Sequence, residues 1–348
     1  MSFFINKLIY GIPVIAGVVT IVFWLFQGLG NPERVMMGQS GDSATLQHIR
    51  KELHLDQPRW KQFALYLNDV SPISYHSRDD FESLALTGFL FGKEKGICIK
   101  WPYLRKSYHS GKNVSALILD ALPGTLLLTI AAMLLASFLG VTLGVIAAVK
   151  KDTIWDSSTM AASIAGVSVP SFFMAILMAW IFGFLWSDLT GLSMTGSWKE
   201  MDFDTGKEIL RLDHLILPAI TLGIRPLAII TQLTRSVLLE ELGKDYIQTA
   251  YAKGLKRRTV VMRHALRNAL NPVATAITGW LAELLAGAFF IEYIFGWKGL
   301  GKLTVEALEQ LDYPLVMGSV LVSSIIFIGI GIITDLVYLR LDPRVRIQ

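Results

Sequence analysis

Residues 117–149 read LILDALPGTLLLTIAAMLLASFLGVTLGVIAAV, and Asp120 is the one charged side chain among them. A helix of about 20 residues crosses the roughly 30 Å of a bilayer's hydrocarbon core. This run is therefore long enough to span it and far longer than the strands of about 10 residues used by membrane barrels. Backbone buried in hydrocarbon must satisfy its own hydrogen bonds, so the run is helical. Comparable apolar stretches occur at 8–29, 158–185, 214–238, 272–294 and 314–340.

Composition points the same way. The chain has 348 residues, 53% hydrophobic and 17% charged, and its mean hydropathy of +0.49 is too high for an ordinary soluble globule. The expected fold is an all-α integral membrane protein, a six-transmembrane-helix bundle. The expected organisation is a first transmembrane helix in 1–30, an external, partly helical segment in 31–115, and a five-helix core in 116–348 with a cytoplasmic loop at 239–271. Lys7 followed by an apolar run resembles a signal peptide, but the run is too long and lacks a small-residue cleavage site before Asn31-Pro32, so it reads as a retained helix. A lone cysteine, Cys98, excludes an intrachain disulfide and reads as a free thiol in a loop.

Basic residues in the short loops set the orientation. Lys7, the pair Lys150 and Lys151, the dense group from Lys244 to Arg267, and Arg340, Arg344 and Arg346 all fall on one side of the six spans. That side is the cytoplasm, which puts both termini inside and 31–115 outside. The expected location is the cell's inner membrane, in contact with the lipid bilayer, and no aromatic stacking platform accompanies the basic group to suggest nucleic acid. In the outer segment Ser43 is placed to cap a helix running to Leu53, a second helix is expected over 59–67, and 71–111, with Pro72, Gly88, Gly92, Gly96 and Pro102, reads as loop with minor structure.

Catalytic motifs are missing. Every Gly-Lys is followed by a residue other than Ser or Thr, so no phosphate-binding loop is present and any ATP would be hydrolysed by another chain. The six histidines form no metal-ligand spacing, and no Gly-x-Ser-x-Gly elbow occurs. An enzyme is not expected.

The informative loop is 245–272, DYIQTAYAKGLKRRTVVMRHALRNALNP. Ile247, Ala250 and Tyr251 recur at helical spacing, Gly254 is free to take positive φ, and Thr259 is placed to cap a second helix. The result is a helix, a turn and a helix at the membrane surface, and the residue types alone suit either lipid headgroups or a protein partner.

Thr249-Ala250-Tyr251-Ala252-Lys253-Gly254 followed by His264-Ala265-Leu266-Arg267-Asn268 resembles the coupling loop of ABC importer permeases, in particular the dipeptide, oligopeptide and nickel branch. Leu55-Asp56-Gln57-Pro58, Leu122-Pro123-Gly124-Thr125, Val169-Pro170-Ser171-Phe172, Glu292 to Trp297 with Gly299-Leu300-Gly301, Asp312-Tyr313-Pro314, and Asp342-Pro343-Arg344 agree in order. Gln248-Thr249-Ala250 departs from the general Glu-Ala-Ala, and Asn271-Pro272 from Leu-Pro. The resemblance implies a permease subunit of an ATP-driven importer, with peptides as the expected solutes. It implies a second homologous permease, two ATP-binding ATPase subunits that carry ATP and Mg, and an external solute-binding protein, with no cofactor in this chain. It assigns ATPase coupling to Tyr246, Ile247, Thr249, Ala250, Tyr251, Lys253 and Gly254. The competing class, an ATP-independent secondary transporter or channel, predicts inverted repeats, broken helices and several coupled midplane charges, none of which stands out in the sequence.

Arg225 and Glu283 fall near the middle of spans, where charge is costly, so each is expected to face protein, as a mutual ion pair or as lining of a solute pathway. Asp335 is expected to pair with a basic group such as Arg235. Pro170 and Pro226 are expected to bend their helices. Gly140 and Gly144 permit close helix packing, within the chain first and between chains second.

Overall fold

The computed structural model describes residues 2–27, 56–202 and 206–341. The helix expected from Ser43 lies outside the described residues. Most of the chain is helical. Helix α1 covers Ser2–Gln27 and α2 covers Arg59–Val70. Strands β1 (Ile73–Ser77), β2 (Gly88–Phe91) and β3 (Lys95–Lys100) precede α3 (Val114–Val149), α4 (Ile154–Ser168) and α5 (Ser171–Trp180). A short hairpin of β4 (Lys199–Met201) and β5 (Glu208–Leu210) leads into α6 (Ile216–Leu242) and α7 (Asp245–Ala252). The chain then forms α8 (Leu266–Gly287), α9 (Phe289–Phe295), α10 (Leu300–Glu309) and α11 (Tyr313–Leu341).

Three helical stretches, Val114–Val149, Leu212–Leu242 and Tyr313–Leu339, are long and apolar enough to cross a membrane. Two bent pairs bring the number to five if each is one span. Helix α1 contributes a shorter apolar part, Ile9–Leu25. The third expected span is not one helix. It breaks between Ser168 and Ser171 with a bend of 107°, because Pro170 lacks an N–H and drives the residue before it out of the helical region. Val169 is extended there, with φ −84° and ψ 129°. Pro226 behaves differently, lying inside an uninterrupted α6.

The chain forms two compact units, one from Met1–Gly11, Leu122–Lys302 and Ile325–Gln348, the other from Ile12–Ala121 and Leu303–Ser324. In the first, α6 is the central element, since 61% of its apolar window is buried against 33% for α3. On α3, Ile130, Leu134 and Phe138 stand four residues apart and exposed, which places one apolar stripe outward as hydrocarbon contact requires. The opposite face carries Gly140 and Gly144 against α6. A Cβ on Gly144 would lie 2.6 Å from Thr234 Cβ and 2.7 Å from the Thr231 carbonyl oxygen, so glycine is what lets the two backbones approach.

The second unit corrects the all-α expectation. Strands β1, β3 and β2 form an antiparallel sheet in that order, where a loop was expected. Its alternation is inverted relative to a soluble half-buried strand: Ser74, His76, Cys98 and Lys100 are buried, while Ile73, Tyr75, Phe89, Phe91, Ile97 and Ile99 are exposed. Cys98 therefore sits inside a strand at 0% exposure and not in a loop. Gly96 marks a close backbone approach, for a Cβ there would lie 1.9 Å from the Phe91 carbonyl oxygen. Helix α2 lies against β1, with Asn68 exchanging side-chain hydrogen bonds with the Tyr75 backbone at 2.8 and 2.9 Å.

A polar cluster holds this unit. Asp69 takes the Arg105 guanidinium at 2.7 and 2.8 Å, and Arg105 lies 5.6 Å from the Tyr66 ring centroid. Phe23 of α1 packs on Phe63 and Tyr66 with ring centroids 5.0 and 6.2 Å apart. Asp312, just before α11, accepts hydrogen bonds from Ser107 Oγ and from the backbone N–H groups of Tyr108 and His109. One buried carboxylate thus ties the approach to α3 to the start of α11.

Candidate functional site

Two places in the first unit collect the residues singled out by sequence. The first is α7 with its following turn. Ile247 is 0% and Ala250 8% exposed, and both pack on Leu238, Val260, Val261, Ala265 and Leu266. These two side chains seat α7 on its own chain and are not available to a partner. Gln248, Thr249, Tyr251, Ala252 and Lys253 form the exposed face.

The turn after α7 is a Schellman motif. Leu255 N–H donates to the Ala250 carbonyl at 3.3 Å and Gly254 N–H to the Tyr251 carbonyl at 2.9 Å, with Gly254 at φ +77°. No atom lies within 4 Å of a Cβ built on Gly254, so backbone conformation and not space selects glycine here. Thr259 does not cap the next helix. Lys256 occupies the N-cap of a short helical turn, Arg257–Thr259, which continues through a π-turn, Val260–Ala265, directly into α8.

Sequence alone missed the anchors of α7. Tyr246 Oη donates to Glu241 Oε2 at 2.5 Å and accepts from Asn268 Nδ2 at 3.0 Å. Lys244 Nζ also binds Glu241. Burial and the bond to Glu241 hold the Tyr246 hydroxyl above its ordinary pKa, so it stays a donor at physiological pH. Tyr246 therefore links α7 to the end of α6 and the start of α8. Arg257 adds a third tie, donating to the Val149 carbonyl at the end of α3 at 2.9 Å. No local spacing announces the contacts to Asn268 and Val149, because Asn268 is 22 residues from Tyr246 and Val149 is 108 from Arg257.

The second place is a cleft of about 70 Å³ beside the Pro170 break, lined by Val169, Ser171, Met174, Thr221, Arg225, Trp280, Glu283 and neighbours. Arg225 comes from α6 and Glu283 from α8, and both are exposed. They share the cleft, yet among the described residues they form no ion pair with each other. The Arg225 guanidinium lies 5.9 Å from the Trp280 ring centroid. Asp335 is elsewhere, 2.8 Å from Lys7. Its expected partner Arg235 is taken instead by Asp156, at 2.5 and 2.7 Å in a two-pronged bond, because Asp156 opens α4 against α6 where the planar guanidinium fork fits it.

Two motifs quoted separately from the sequence meet in this unit. Gly124 approaches the Lys298 carbonyl so closely that a Cβ would lie 1.9 Å from it. Its own carbonyl accepts from Trp297 Nε1 at 2.9 Å, and Thr125 Oγ1 accepts from Leu300 N–H at 2.7 Å. Glu292, fully buried, accepts from the N–H groups of Gly301 and Lys302 at 2.7 and 3.1 Å and so caps α10.

In this unit α6 is a central span packed between two bent pairs, α4 with α5 and α8 with α9. The fold matches a chain of the MetNI methionine ABC transporter in an inward-facing conformation, with a TM-score of 0.52 and 18% identity over 66% of this chain and 97% of that one. This likeness is one of fold.

The family described as binding-protein-dependent transport system inner membrane component matches residues 140–347, and the N-terminal family of the same membrane components matches residues 1–129. The chain belongs to the binding-protein-dependent transport system inner membrane component family. It is 33% identical to the dipeptide transport system permease protein of Escherichia coli, over 99% of both chains. It is 33% identical to the di/tripeptide transport system permease protein of Pseudomonas aeruginosa, over 100% of this chain and 99% of that one. The glutathione transport system permease protein of E. coli is 31% identical, over 99% of both. It is a multi-pass membrane transport component and not an enzyme, and family membership sets aside the ATP-independent transporter or channel.

Proposed function

We propose that this chain is the permease subunit of a peptide importer driven by ATPase partners. Full-length similarity to dipeptide and di/tripeptide permeases carries the assignment of solute. The two sites and the family support the following mechanism. The chain crosses the membrane six times with both termini in the cytoplasm, and it pairs with a second homologous permease to enclose the solute route. A solute-binding protein delivers peptide to the outer face, where 31–115 lies.

Two ATPase subunits, which bind ATP and Mg, dock on the exposed face of α7, chiefly Thr249, Tyr251 and Lys253, while Ile247 and Ala250 hold α7 against the permease core. Movement of α7 is passed to α6 and α8 through Tyr246 and to α3 through Arg257. Nucleotide binding favours one of two permease states and so shifts their populations. Arg225 and Glu283 are exposed on spans that cannot afford charge toward lipid, which supports their facing the solute route.

The assignment is tested by radiolabelled dialanine uptake in cells lacking the chain, with and without its restoration. Uptake should return with the chain, and the ATPases should co-purify with it. Restored membrane expression without dialanine uptake, or uptake that persists when the ATPases cannot bind nucleotide, would falsify the proposal.

A further inference from the structure

The charged pair in the cleft is chemically incomplete. Arg225 and Glu283 both line it and both are exposed, and among the described residues neither makes a hydrogen bond or an ion pair. The ring contact with Trp280 engages a guanidinium face and leaves N–H donors at its rim unused. A cation and a carboxylate at membrane depth need opposite charge or water. Yet these two, brought to one cleft by α6 and α8, do not satisfy each other. The wall around them is largely apolar, from Val169, Met174, Leu222 and Leu284, and it makes no demand for particular polar groups.

We propose that Arg225 and Glu283 form a subsite for zwitterions, Arg225 receiving a carboxylate and Glu283 an ammonium group. A guanidinium takes a carboxylate through two parallel N–H bonds, and a carboxylate accepts from the three donors of an ammonium. A free small peptide carries one of each group whatever its side chains are. The subsite reads those termini, while the apolar wall tolerates varied side chains. Two single contacts on separate helices also suit a route, where solute must enter and leave and each site must bind weakly. Separation of α6 from α8 as the permease changes state would pull the two charges apart and release the cargo. This inference rests on the cleft being part of the solute route.

Uptake of dialanine, N-acetyl-dialanine and dialanine amide is measured in cells making the complete transporter, each probe at a concentration that gives measurable wild-type uptake. Wild type, Arg225→Gln and Glu283→Gln are compared at matched membrane levels. Comparing each variant with wild type for the same probe cancels any selection made before the solute reaches the cleft. In Arg225→Gln the ratio of dialanine to dialanine amide uptake should fall about tenfold, as expected for loss of a charge-assisted bond, with the ratio to N-acetyl-dialanine unchanged. Glu283→Gln should show the mirror pattern. Arg225→Lys, which keeps the charge, should recover part of the lost ratio.

An equal fall for all three probes, or unchanged ratios in both variants, overturns the subsite and leaves the two side chains with a structural role. Absence of dialanine uptake by wild-type cells overturns the peptide assignment itself, and the subsite with it, before any variant is compared.

Discussion

At Tyr246 a single hydroxyl joins three helices. Its bonds to Glu241 and Asn268 are worth about 0.5–1.5 kcal/mol each, and more toward the charged Glu241. Tyr246→Phe keeps the ring and removes both bonds, so membrane insertion should be normal while peptide-stimulated ATP hydrolysis by the purified complex falls several-fold. Unchanged stimulation would mean that the Tyr246 hydroxyl takes no part in passing movement from α7 to α6 and α8. Gly254 is a different case, because its constraint is conformational. At φ +77° an L residue costs roughly 1–2 kcal/mol, and a β-branched one more. Gly254→Val should reduce stimulation beyond Gly254→Ala, with both proteins reaching the membrane at normal levels; equal behaviour of the two would remove the turn from the account. Ala250→Glu tests something else, since at 8% exposure the new carboxylate is forced into the seat of α7 and unseats the helix from its own chain.

At the level of elements, the permease core depends on α3 meeting α6 through glycine. Gly144→Val places methyl groups where Thr234 and the Thr231 carbonyl already stand. Overpacking of this kind costs about 1–3 kcal/mol. The purified protein should lose several degrees of thermal stability, read as the midpoint of heat-induced aggregation, and Thr234→Ala should recover part of the loss. A neutral Gly144→Val would show that α3 shifts along α6 without penalty. The same logic separates the two prolines. Pro170 ends α4 by forcing Val169 into extended backbone, whereas Pro226 is carried inside α6, where the buried surroundings of the central helix hold the helical course despite one missing hydrogen bond.

For the whole molecule, thiol chemistry makes sidedness testable. Cys98 is buried at 0% exposure, so a membrane-impermeant maleimide should label the wild-type chain weakly. Lys93→Cys lies in the exposed hairpin turn between β2 and β3, and Lys256→Cys in the exposed turn after α7. On intact cells the first should label and the second should not. Inside-out vesicles should reverse this. Labelling of Lys256→Cys from outside would invert the proposed topology, and with it the assignment of α7 to an ATPase.

The membrane class, the positions of the apolar segments and the left-handed turn at Gly254 were legible in residue order because each is a local property. Hydrocarbon demands a long apolar helix wherever it is crossed, and a left-handed turn demands Gly254 regardless of what surrounds it. The sheet was not legible, because its apolar residues face outward and its polar ones inward, against the rule that usually reveals a strand. Nor were the Asn268 partner of Tyr246 and the partners of Arg257, Asp156 and Asp335, which depend on groups brought together from distant parts of the chain. Arg225 and Glu283 stood out in the sequence as costly charges. Only the tertiary structure decided that they open into one cleft without neutralising each other, because the placement of two side chains on different helices is set by how those helices pack and not by the residues beside them.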